Sequence, residues 1–168
     1  MKSTRSNTRP PLEPDLAGAA ALCRTVPGFL AALREILAAA DREIAAHLAG
    51  AGIARPCLGG GGCCKFDLAG HRLYVSAGEL ALLAEAPPTD LSRAQRLRCP
   101  WQAGPSCAAY ARRPLGCRTH FCRPKEKTFF EAVYEQHHRE IRALHQSHCT
   151  PYAYGELTRN ASQLLATK

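Results

Sequence analysis

At 168 residues, 46% hydrophobic and 21% charged, the chain has the size and composition of one ordinary folded domain around one core. Thirteen Gly and twelve Pro are far from collagenous or low-complexity content, and 7% aromatic residues are few for an all-β sandwich or barrel. The longest apolar runs, such as Leu16 to Cys23 and Leu80 to Ala84, fall short of the roughly 18 residues a membrane span needs.

Residues 1–15 are polar and Pro-rich without periodicity and read as a disordered N-terminal arm, with 16–168 as a single domain. Glu13, Asp15 and three prolines precede any apolar stretch, unlike a secretory signal, so a cytoplasmic location is expected. From Thr25 the residues Leu30, Leu33, Leu37, Ala40, Ile44 and Leu48 recur at helical steps. Thr25 is the expected cap, Pro27 sits in the first turn, and Gly50 with Gly52 ends the helix. Residues 53–70, with the run Gly59 to Gly62, read as a ligand-bearing loop. His71 to Val75 reads as a short extended segment, and Ser76-Ala77-Gly78-Glu79 as a capping box opening a second helix to about Ala86. Pro100, Gly104, Pro105, Pro114 and Gly116 make 99–122 irregular, with at most a turn of helix around Tyr110. A long helix is expected from about Lys127 to His148, packing on the first, with Phe130, Val133, Tyr134, His137, Ile141, Leu144 and His148 on one face. Beyond Pro151 a short helix is expected near Glu156 to Ala166, and no internal repeat is visible.

Nine cysteines in a chain this small carry the functional argument. Seven fall in two clusters, Cys57-x5-Cys63-Cys64 and Cys99-x7-Cys107-x9-Cys117-x4-Cys122, whereas Cys23 and Cys149 stand apart. In a reducing compartment clustered thiols serve as metal ligands or redox groups more often than as disulfides. Gly/Pro-rich loops let thiolates converge, and a structural metal can contribute about 10 kcal/mol or more to folding. The expectation is therefore a mainly α, small helical domain whose two irregular Cys-rich loops converge on a metal. All seven clustered cysteines, Cys57, Cys63, Cys64, Cys99, Cys107, Cys117 and Cys122, are candidate ligands. No Cys-x2-Cys pair is present, which counts against an ordinary zinc ribbon. In extended backbone the adjacent Cys63 and Cys64 would point to opposite sides, so either the chain kinks there or they serve different sites. Zinc and an iron–sulfur cluster both remain open on spacing, as do one site and two.

The run Cys57, Cys63-Cys64, Cys99, Cys107, Tyr110, Arg113-Pro114, Cys117-Arg118 and Phe121-Cys122 resembles the YkgJ-type cysteine-cluster family. The resemblance implies zinc or iron chelation, with some members of that family labelled iron–sulfur proteins. Family members often carry Cys-x2-Cys-x2-Cys-Cys in the first cluster, which would put a cysteine at Gly60, so seven of the usual eight thiols are present here. Related flagellin lysine methylases combine such a cluster with further domains.

Three functions compete at this stage. The first is a protein coordinating an iron–sulfur cluster or zinc, with a redox or metal-handling role. The second is an iron–sulfur-dependent enzyme of redox or methyl-transfer type, for which no catalytic residue is assigned. The third is a basic nucleic-acid-binding zinc module, supported by the formal charge of +8 but not by any recognition motif. Metal loading would itself reduce that charge, because a four-thiolate site carries about −2. No membrane partner is expected. Cys23 and Cys149 are expected to pack or be exposed, and His137 to be a satisfied core residue. His71 and His120 are candidate ligands or donors, Arg113 and Arg118 candidate donors to sulfur, and His138, His145 and His148 a solvated polar edge.

Overall fold

A computed structural model describes residues 15–53, 60–120, 126–161 and 163. The expected N-terminal arm lies outside them, except Asp15, whose carboxylate caps a helix by accepting from the Gly18 N–H at 2.7 Å. That helix, α1 (Leu16–Thr25), was read in the sequence only as an apolar run. Its small buried face, Ala19, Ala20 and Cys23, lets it lie close against a later helix. Thr25 is therefore the end of α1, not the cap of the next helix, and its hydroxyl donates back to the Leu22 carbonyl at 2.8 Å.

The chain bends by 106° and restarts as α2 (Phe29–Gly50) from Gly28, whose φ of 79° is left-handed. The predicted stripe is the buried one: Leu33, Leu37, Ala40 and Ile44 are joined by Phe29, with Leu30 and Leu48 half-buried. Beyond α2 come a 3-10 turn over Gly62–Cys64 and the one-turn α3 (Phe66–Ala69), so the expected loop carries local helical structure. β1 (Tyr74–Ser76) leads into α4 (Ala77–Leu83), and the capping box is formed as read: Ser76 Oγ accepts from the Glu79 N–H, and Glu79 accepts from the Ser76 N–H at 2.8 Å. Every residue of α4 is buried, because α1 and α2 cover it.

The second Cys-rich segment holds more regular structure than its prolines suggest. A 3-10 turn over Leu91–Arg96 precedes a tight hairpin, β2 (Gln102–Ala103) with β3 (Ser106–Cys107), turning at Gly104. The expected turn at Tyr110–Arg112 is present, and α5 (Leu115–Thr119) follows Pro114. α6 (Lys127–Ser147) matches its predicted span and packs on α2. The two run antiparallel, since Phe29 at the start of α2 meets His145 near the end of α6, and His47 stacks on Phe129 at the opposite ends. β4 (Tyr154–Glu156), which the sequence did not reveal, pairs antiparallel with β1, Val75 opposite Gly155, and leads into α7 (Leu157–Ala161). The molecule is mainly helical, and no single helix among the described residues is long and apolar enough to cross a membrane.

Candidate functional site

The first wall of the site is built by a glycine turn. Gly61 has φ +64°, and a Cβ there would stand 2.8 Å from Gln102 Nε2 and 3.1 Å from the Pro105 carbonyl oxygen. Gln102 Nε2 donates to the carbonyls of Gly61 at 3.0 Å and Gly104 at 3.1 Å, fastening this turn to the β2–β3 hairpin. The 3-10 turn that follows bends the backbone so that Cys63 and Cys64 line the same cavity, which settles their adjacency as a kink. One residue further, Lys65 bridges Arg98, and the Cys99 N–H donates to the Cys64 carbonyl at 2.8 Å. Backbone pairing thus seats Cys64 beside Cys99, although 34 residues separate them in sequence.

Cys107 arrives on β3 and Cys117 on α5. The latter is positioned by Glu79, whose second carboxylate oxygen accepts the Leu115 N–H at 2.7 Å. Five thiols, Cys63, Cys64, Cys99, Cys107 and Cys117, therefore face one cavity of about 640 Å³. Cys57 and Cys122 lie outside the described residues. Among the described residues, no group of three or more His, Cys, Asp or Glu side chains is arranged to hold a metal ion.

The thiols act on one another. A hydrogen bond with Cys64, then burial, pushes the Cys63 thiol far above the ordinary range. At Cys64 the bond to Cys63 lowers the value, but the bond to Cys99 and burial outweigh it and push it up to about 12. Burial raises Cys117 strongly, reinforced by Cys64 and Cys107 and opposed by the Arg113 charge. Several thiolates cannot share this space without a positive charge among them.

Arg113 supplies some of that charge; its guanidinium lies 3.7 Å from the centre of the Tyr110 ring and its Nε donates to the Tyr110 carbonyl at 3.0 Å. Among the described residues Arg118 makes no hydrogen bond to sulfur. It is buried, donates to the carbonyls of Arg113 at 2.8 Å and Ala111 at 3.0 Å, and pairs with Asp41 of α2, so it braces α5. His71 and His120 both line the cavity and stack with ring centres 4.4 Å apart. Burial, then the neighbouring His71, lowers the His120 pKa, and His71 Nδ1 is buried with no hydrogen-bond partner among the described residues.

Sequence reasoning missed the far wall. β4 brings Tyr154 against Tyr74 of β1, and both line the cavity with Tyr134 of α6. The Tyr134 and Tyr154 hydroxyls are 2.6 Å apart, and His138 links Tyr134 at 3.1 Å to Tyr152 at 2.7 Å. The alternation Tyr152-Ala153-Tyr154 after Pro151 was the available signal. The expected solvated histidine edge is corrected accordingly: His145 is fully buried, and His138 and His148 are half-buried, because the turn after α6 folds back over that helix. His137 is buried and satisfied, between Glu43 at 3.0 Å and Glu140 at 2.9 Å. Cys23 is buried in the core and Cys149 is exposed, each apart from the thiol cavity.

Comparison with family models, curated proteins and solved structures returns no match.

Proposed function

We propose that this chain is a metal-binding protein of the YkgJ type, coordinating an iron–sulfur cluster or zinc through its clustered cysteines, with a redox or metal-handling role. The observation that carries this reading is the arrival of five thiols from two distant segments at one cavity. Sulfur donors suit zinc and iron–sulfur clusters, and a bound cation reverses the mutual disfavour of neighbouring thiolates. Cys57 and Cys122 are proposed to complete the set. A cavity of about 640 Å³ exceeds what one tetrahedral ion with bonds of about 2.3 Å requires, so it has room for a cluster or an additional ligand.

Anaerobic purification with metal and acid-labile sulfide analysis tests the proposal. Brown protein with iron and sulfide identifies the cluster, and colourless protein with stoichiometric zinc identifies the ion. Stoichiometric amounts of neither would reject the reading. A second reading, an enzyme using the same site for redox or methyl-transfer chemistry, is favoured by the wall of Tyr74, Tyr134 and Tyr154, which extends the cavity beyond the sulfurs. Under that reading Tyr134→Phe retains the metal while substrate turnover falls.

A further inference from the structure

The bridge that seats Cys64 and Cys99 has a second face. Lys65 and Arg98, each one residue from a cavity thiol, line a separate polar concavity of about 470 Å³ together with Arg93 and Arg96. Against these four cations the lining holds one carboxylate, Asp90, which is already engaged: it accepts from Ser92 N–H at 2.9 Å and Ser92 Oγ at 2.7 Å, and pairs with Arg93 at 3.5 Å. Arg93 also donates to the Gln102 carbonyl at 2.9 Å, so it is fixed in place.

Of the other three cations only Arg98 is paired among the described residues. Arg98 pairs through Nη2 at 3.3 Å with Asp67, which lies outside the concavity. Lys65 and Arg96 form no ion pair among the described residues. An oxyanion in this concavity would accept from the Lys65 ammonium and the Arg96 guanidinium and balance their charge. The volume is that of a small-molecule site. No aromatic ring among the described residues lines it, and single-stranded nucleic acid binding draws on such rings to stack its bases.

We infer that this concavity binds a small, multiply charged phosphate compound, with Lys65 and Arg96 supplying the unpaired charge and the paired Arg93 and Arg98 adding to the positive field. The site is distinct from the thiol cavity, and metal analysis of the same samples keeps the two proposals separable. The test is calorimetric titration of the full chain with inorganic pyrophosphate and with inorganic phosphate, at constant ionic strength. Pyrophosphate should saturate one site and bind more tightly than phosphate. Lys65→Ala with Arg96→Ala should weaken pyrophosphate binding at least ten-fold with metal content and thermal midpoint unchanged. If the double variant does not fold, exposed Arg96→Ala alone carries the test, with a loss of several-fold. Absence of saturable pyrophosphate binding, or binding indifferent to these substitutions, would overturn the inference. So would a single-stranded oligonucleotide that displaces pyrophosphate and binds more tightly as it lengthens, which would assign the surface to nucleic acid.

Discussion

Glu79 is buried, yet its carboxylate accepts from the Ser76 N–H, the Ser76 hydroxyl at 2.7 Å and the Leu115 N–H. One side chain thus closes the start of α4 and anchors α5, which carries Cys117. Truncation strands two buried N–H groups, so Glu79→Ala should cost about 3 kcal/mol in urea denaturation, with Glu79→Gln recovering part of it. His145 offers a different measurement. Burial holds its pKa below the ordinary 6.5, against the opposing backbone bonds of Pro151 and Thr150. Its Nδ1 meets the Thr150 hydroxyl at 2.9 Å, and its Nε2 has no hydrogen-bond partner among the described residues. The unfolded chain therefore takes up a proton first, and stability present above pH 6.5 is lost as pH falls from there toward the lower folded value. His120 and His138 are lowered as well and act with the same sign, so the contribution of His145 is the part of the pH slope that disappears in His145→Gln.

Elements place the site through a few tight contacts. Gly61→Ala introduces a Cβ at 2.8 Å from Gln102 and strains a left-handed residue, which should destabilise the protein by about 1 to 3 kcal/mol. Because this turn precedes Cys63 and Cys64, metal content should fall along with the thermal midpoint, whereas Gly104→Ala, also left-handed but open around its Cβ, should show the backbone cost alone. α2 and α6 could be read from the sequence because one-sided burial leaves a 3.6-residue period that depends on no partner. The box at Ser76 and Glu79 was equally readable, being a bond between residues three apart. α1 was missed because alanines bury a helix face with little hydropathy contrast. β4 was missed because a three-residue strand acquires its meaning only from its pairing with β1.

At the scale of the whole molecule, the helical core of α1, α2, α4 and α6 is formed by apolar side chains, while the cysteine segments are held by short backbone pairings and by the proposed metal. Chelation should therefore raise amide hydrogen exchange across 60–70 and 97–120 by an order of magnitude or more, with far smaller changes in α2 and α6. Uniform loss of protection would show instead that the helices depend on the same ion. Cys117→Ser should lower metal content, while Cys23→Ala, a buried position away from the cavity, should lower stability by about 1 kcal/mol and leave the metal in place.

The inventory of donors, the two long helices and the capping box follow from sequence alone, since each rests on residue chemistry or on contacts within about one helical turn. Only the tertiary structure decides that Cys63 and Cys64 share a cavity with Cys99, Cys107 and Cys117, that Tyr154 closes its far wall, and that Lys65 and Arg98 turn outward. Those relations join segments remote in the chain. Packing and strand register set them, and neither leaves a local pattern to read.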